Sequence, residues 1–319
     1  MRWFVLILLS VLAARADERF VLFPSLGQRV GDQWEIEIHG WVYEPERRAV
    51  SVALFREALE LKIGRLADDE EIIFAERARL FLADNERGQW ATVTFDGGAH
   101  RIGPSAANGH IHTRLRVPTR ARNVHWLDET GLSVISDIDD TIKISEVRDR
   151  RALLRNTFCR PFQPAPGMAA LYQTWAKVGA QFHYVSASPW QLYEPLADFI
   201  RTAGYPAGTY HMKLFRWKDE SFFDLFDAPD KYKLGVFEPL LRRFPNRRFA
   251  LVGDSGERDP EIYGTLARRH PQQIVHILIR DVTGEPVVTA ERYRQAFRDL
   301  PAGSWTIFRD PPAAFPLAR

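Results

Sequence analysis

A single cysteine, Cys159, in 319 residues leaves no partner for an intramolecular disulfide. The lack of staples is no handicap, because a chain this long buries an ample core. An excess of one charge is also missing. Lysine plus arginine number 43 against 41 aspartates and glutamates, which excludes bulk attraction to nucleic acid or anionic lipid. Lysine is scarce, with seven against 36 arginines, so arginine carries the generic surface charge and each lysine bears separate reading. There is no internal repeat and no low-complexity tract. The G-x-x-x-x-G-K-[ST] loop of nucleotide hydrolases is absent, and so is the G-x-S-x-G elbow of esterases. What is present, 45% apolar and 26% charged residues, is the composition of a soluble globular chain, long enough for two domains.

The one long apolar run, Trp3 to Ala14, follows Arg2 and precedes Ala14-Arg15-Ala16, with small residues where an A-x-A cleavage site needs them. The run is too short to cross a bilayer, about 18 Å as a helix against ~30 Å of hydrocarbon. Residues 1–16 are therefore expected to be a signal peptide, cleaved before Asp17. The mature protein is then expected outside the cytoplasm, periplasmic or secreted, with no transmembrane span.

Residues 17–130 read as β-rich. Trp34 to Val42, Gln89 to Phe95 and His110 to Val117 alternate apolar and polar side chains, as half-buried strands do. Turn residues separate them, with one helical interruption between Val50 and Ile63. The expected fold here is a small antiparallel β-sandwich.

After Leu132 the pattern changes. Short apolar runs at 132–136, 181–185, 248–252 and 274–279 alternate with helical stretches at 167–178, 233–244 and 260–269. Strands alternating with helices imply an α/β domain, a parallel sheet covered on both faces, over 131–300. The Pro-rich tail 301–319 is expected to wrap the surface. Ligands of such sheets sit at the carboxyl ends of the strands. Three of the apolar runs end in chemistry: Asp137-Ile138-Asp139-Asp140-Thr141, Ser186-Ala187-Ser188-Pro189, and Gly253-Asp254-Ser255-Gly256-Glu257-Arg258-Asp259. Carboxylates crowded this closely repel unless a cation or a reaction uses them. Two lysines, Lys231 and Lys233, stand at a helix start between the second and third clusters. An acidic cradle, a hydroxyl clamp and a positive charge are equipment for phosphoryl transfer.

These residues resemble the four motifs of haloacid dehalogenase-like phosphatases. The longer strings, Ser136 to Lys143, Tyr184 to Trp190 and Gly253 to Tyr263, resemble the catalytic domain of the actin-patch-protein type of phosphatidate phosphatase. The resemblance runs from about Leu132 to Val282. It implies a haloacid dehalogenase-like three-layer fold and magnesium-dependent hydrolysis of a phosphate monoester, with phosphatidate as the family's substrate. It also implies Asp137 as nucleophile, Asp139 as general acid/base, Thr141 steadying the loop, and Ser186 with Lys233 binding phosphate, Lys231 being the fallback. Mg2+ would rest on Asp137, the backbone carbonyl of Asp139, and Asp254, with Asp259 supporting. Tyr232 stands where the family has His. The alternatives are a soluble phosphomonoester as substrate, or a binding or scaffold protein working through the β domain.

Other signals are weaker. Gly253-Asp254-Ser255-Gly256 echoes a serine-protease string, but it ends a strand of an α/β region rather than belonging to a β-barrel. His110 and His112 face one side of a strand and could bind a metal, though the pair alone reads more simply as a half-exposed surface feature. His183 is expected to be a hydrogen-bonded core histidine and Cys159 a plain residue. Residues 210–226 mix Phe215, Trp217, Phe222, Phe223 and Phe226 with Lys213, Arg216 and Lys218. They could touch a lipid interface or form core beneath a loop.

Overall fold

Apolar and polar residues alternate along the first strands, and the apolar ones turn inward. In the computed structural model, which describes residues 18–95, 98–121, 124–215, 229–286, 290–311 and 315, Ile36 and Ile38 are fully buried. The segment expected to be a signal peptide, 1–16, lies outside the described residues.

The strands are β1 (Arg19–Leu22), β2 (Ser25–Val30), β3 (Gln33–Glu44), β4 (Asp84–Asn85), β5 (Ala91–Phe95), β6 (Gly98–Ile102), β7 (His110–Val117) and β8 (Val124–Leu127). β3 is the hub: β1, β2, β4 and β7 all pair with it antiparallel. β8 joins β2 in parallel, so the expected all-antiparallel arrangement fails at that edge. β5 and β6 form a separate ribbon whose Val93, Phe95 and Ile102 share a core with Ile36, Ile38 and Ile111.

Two helices, not one, interrupt these strands: α1 (Ala49–Ile63) and α2 (Asp68–Phe81). The second was hidden by its charged start, Asp68, Asp69, Glu70 and Glu71. At a helix N-terminus such a run is favoured by the exposed amides. Glu70 also accepts from the backbone of Ala67 and from Arg155 and Arg160.

The second part comprises β9 (Leu132–Asp137), β10 (Lys143–Ile144), α3 (Arg150–Phe158), β11 (Gln163–Pro164), α4 (Met168–Lys177), β12 (Gln181–Pro189), α5 (Tyr193–Thr202), β13 (Gly208–Lys213), α6 (Pro229–Arg243), β14 (Arg248–Asp254), α7 (Asp259–Arg269), β15 (Ile274–Arg280), α8 (Glu291–Ala296) and β16 (Trp305–Phe308). Six strands form one parallel sheet in the order β13-β12-β9-β14-β15-β16. Two of them correct the sequence reading. Residues 208–213 are an edge strand that the sequence reading did not include among its apolar runs. Residues 305–308 of the tail pair with β15 rather than wrapping the surface. Of the aromatic-basic segment, Phe215 is buried core, while 216–228 lie outside the described residues.

The two parts share one core. Phe55, Leu59, Phe74 and Phe81 of α1 and α2 belong to the same buried cluster as Phe158, Tyr172 and Phe215. Phe81 stacks on Phe215 with centroids 5.3 Å apart. Arg77 donates to the carbonyls of Thr157 and Arg160. Cys159 is buried at this junction, and burial pushes its thiol up to about 12 despite the nearby arginines. It is an inert core residue, as expected. His183 is likewise a core residue, between Thr209 (2.7 Å) and Ser133 (3.3 Å).

Candidate active site

β9 runs between β12 and β14, with Asp137 opposite Val185 and Ser136 opposite Val252. This register brings the carboxyl ends of three strands together, and with them Asp137, Ser186 and Asp254. All three are buried. Thr141 Oγ1 donates to Asp137 Oδ2 at 3.2 Å, so the turn after β9 folds back onto its own first carboxylate. Asp140, at φ 54°, accepts the amides of Ser145, Glu146 and Val147 and shapes that turn.

Asp139 faces different partners. Lys143 Nζ lies 2.7 Å from its Oδ1, and Ser145 Oγ donates to the same oxygen at 2.7 Å. Ser186 Oγ donates to Oδ2 at 2.9 Å and Ser188 Oγ at 3.4 Å. Burial alone would raise the Asp139 pKa. The charge of Lys143, with donation from Lys143, Ser145 and Ser186, instead holds it below the usual carboxylate range. Asp139 is therefore an ionised acceptor at rest.

Lys233, on α6, is completely buried and reaches three carboxylates: Asp137 at 2.8 Å, Glu257 at 3.0 Å and Asp259 at 2.5 Å. Burial opposes its charge, but Asp137, Asp259 and Glu257 outweigh that and raise its pKa well above the ordinary value. Lys233 is thus the lysine in the cluster. The side chain of Lys231 lies outside the described residues.

Beyond β14 the chain curls around Asp254. Its Oδ1 accepts from Gly256 N (2.6 Å) and Glu257 N (3.1 Å), while its own amide donates to Asp259 Oδ2 at 3.2 Å. Gly253 makes this possible, because a Cβ there would stand 2.2 Å from Asp259 Oδ2.

Asp254 Oδ2 is buried without a hydrogen-bond partner among the described residues. One oxygen each of Asp137, Asp254 and Asp259 lies within 4.8 Å of the other two. An orphaned carboxylate oxygen beside two further buried carboxylates fits a hard divalent cation, which prefers oxygen ligands. Asp139 does not offer its side chain to this group. Burial and repulsion from Asp259 and Glu257 raise Asp254, and burial raises Asp137 in the same way against the pull of Lys233. A bound cation would reverse that cost.

All seven residues expected from the sequence, Asp137, Asp139, Thr141, Ser186, Lys233, Asp254 and Asp259, meet at these strand ends in two adjoining sets: Asp139 with Ser186, and the other five about Lys233 and the acidic cradle. Lys143, Ser145 and Glu257 join these sets and received no role from the sequence, whereas Ser188 was read as part of the hydroxyl clamp. The signal for Lys143 was its rarity, one of seven lysines, four residues after Asp139 in the same string.

Residues 132–281 match the family described as phosphatidate phosphatase APP1, catalytic domain. Phosphatidate phosphatase APP1 of Saccharomyces cerevisiae is 37% identical over 160 residues, covering 49% of this chain and 27% of the yeast protein. An uncharacterised protein of Schizosaccharomyces pombe is 31% identical over 163 residues, 50% of this chain and 26% of its own length. The chain thus spans about a quarter of the length of these curated relatives. The matched stretch contains every residue of the carboxylate and lysine clusters, so the part of the chain that carries the candidate site is the part similar to the APP1-type catalytic domain.

Proposed function

We propose that this protein is a Mg2+-dependent phosphatase that hydrolyses phosphatidate to diacylglycerol on a haloacid dehalogenase-like domain, with Asp137 as nucleophile. The observation that carries the reading is the position of Asp137. Its Oδ1 is paired with Lys233, its Oδ2 is held by Thr141, and the Asp254–Asp259 cradle adjoins it.

Asp137, Asp254 and Asp259 would hold the ion. Bound there, it supplies positive charge that screens the phosphate dianion from the attacking carboxylate. Ser186 and Ser188 at the end of β12 orient the phosphoryl oxygens, and Lys233 adds its charge. The Asp137 carboxylate attacks phosphorus, giving an aspartyl-phosphate and expelling the diacylglycerol oxygen. An arriving phosphate dianion adds negative charge beside Asp139 and favours its protonated form, so this carboxyl can pass a proton to the leaving oxygen. Once ionised again under Lys143, it takes a proton from the water that hydrolyses the aspartyl-phosphate.

The matched family favours phosphatidate over a soluble phosphomonoester. The expected setting, by the leader-like residues 1–16, is outside the cytoplasm, at a lipid surface. Among the described residues no helix is long and apolar enough to cross a membrane.

The test is phosphate release from dispersed phosphatidate, with and without magnesium, by the full chain and by Asp137→Asn. Metal-dependent release that vanishes in the variant is expected. Turnover of an aryl phosphate alone would keep the chemistry and remove the lipid. Silence on both substrates would leave a binding or scaffold role.

A further inference from the structure

Outside the matched domain, the N-terminal sheet gathers a second set of metal-ligating side chains. β3 and β7 pair so that His39 stands opposite His112 and Trp41 opposite His110. Residues two apart on a strand share a face. The cross-strand partner therefore completes a triad with the His110-x-His112 pair, for which the sequence favoured a half-exposed surface feature over a metal site. His110 is buried, His39 half-buried and His112 exposed, so the cluster is anchored at one end and open at the other.

The rings are close. His39 Nε2 lies 2.7 Å from His110 Nδ1, and the His39 and His112 rings stack with centroids 3.8 Å apart. One nitrogen from each ring falls within 4.8 Å of those of the other two. Phe23 and Trp190 meet the His39 ring edge-on at 4.6 and 4.4 Å and fix its plane. The open side faces a cleft of about 850 Å³ lined by His39, His112, Trp190, Tyr210 and His211.

We infer that His39, His110 and His112 bind a divalent transition ion of the zinc class, leaving a coordination position open to the cleft. Imidazole nitrogens suit zinc and its neighbours, whereas magnesium takes oxygen, so this site and the carboxylate cradle select different ions. Tetrahedral zinc with bonds of about 2.0–2.1 Å sets its ligand nitrogens roughly 3.3 Å apart. The close pair, 2.7 Å apart, need only separate by about half an ångström, and the ring that donates in that hydrogen bond carries its proton on the other nitrogen instead. Burial keeps all three rings in the neutral, ligating form at neutral pH, with neighbouring histidines adding to the effect on His39 and His110.

The test uses the full chain, stripped by chelator and dialysed against zinc chloride with magnesium in excess to fill the carboxylate cradle. One zinc per chain is expected in the wild type and in Asp254→Asn. In His39→Gln/His112→Gln, affinity should fall by more than the roughly 10–100-fold that a lost outer-sphere partner costs. Equal zinc uptake by the wild type and the double variant, or none by either, would overturn the site. Because the double variant could misfold, ring-nitrogen NMR of the wild type gives a second reading. Zinc should move the signals of three of the nine histidines. Unmoved signals, or movement confined to His183 and His211, would overturn it equally. Neither readout depends on phosphatase activity.

Discussion

Lys143 Nζ lies 2.7 Å from Asp139 Oδ1, and both side chains are buried. This pair sets the protonation of the second carboxylate of the Asp137-x-Asp139 motif, while Lys233 serves the first. Two buried ammonium groups thus divide the carboxylates between them.

Replacing Lys143 by Met removes the charge that lowers Asp139. Its pKa should rise, moving the acid limb of the pH–rate profile to higher pH. kcat should fall by about a hundredfold or more, the usual worth of a positioned acid/base. Lys143→Arg keeps the charge and should leave the limb nearest its wild-type position. A limb that stays put in Lys143→Met would show that Lys143 is only structural.

Lys233→Met leaves Asp137, Glu257 and Asp259 without their shared cation. Breaking a buried ion pair from one side costs about 3–5 kcal/mol. A divalent ion in the cradle restores part of the lost charge, so magnesium should raise the unfolding midpoint of the variant more than that of the wild type. Equal shifts would argue that the cation and Lys233 do not share the same carboxylates.

Gly253→Ala tests the cradle through the backbone. The added Cβ would meet Asp259 Oδ2 at 2.2 Å, so Asp259 cannot keep both Lys233 and the Asp254 amide. Overpacking of this kind costs about 1–3 kcal/mol, and phosphate release should fall with it. Wild-type stability and turnover in Gly253→Ala would contradict the geometry.

Stability should fall on mild acidification. His183 and His110 are buried and His211 half-buried, and all three are held neutral. Burial lowers His183 well below its ordinary value, His211 to about 4 and His110 to about 3. Their folded pKa values lie below the unfolded one, about 6.5, so their contribution is whole above about pH 6.5 and is lost as pH falls toward 4 and 3. Each group adds at most about 1.4 kcal/mol per pH unit. Urea unfolding across this range, with magnesium present to keep Asp137 and Asp254 ionised, should show the decline, and His211→Gln should flatten it. A level profile would refute the reading.

The parallel sheet and the strand-end clusters were legible because apolar runs followed by Asp, Ser or Gly-Asp are local signals. What escaped depended on tertiary context. α2 was masked by four acidic residues that only a helix N-terminus explains. β13 and β16 are edge strands, whose half-exposed residues lack the continuous apolar run of the central four. His39 could not be joined to His110 and His112 without the register of β3 on β7. Lys143 and Glu257 sat inside recognised strings, yet their importance lies in charge pairing, which spacing does not reveal.

The aromatic seam between the two parts of the chain also bears on how turnover is timed. Phe81 on Phe215, and Trp190 against Phe23 and His39, interlock across the junction, and Tyr43 donates to Glu194 beside them. Opening that seam would expose several large rings to water at once, at about 25 cal/mol for each Å². The N-terminal sheet is therefore a fixed wall beside the catalytic strand ends rather than a swinging cover. A turnover cycle that uses this site is then expected to run with the two parts joined, so a variant that loosens the seam should lose stability before it gains speed.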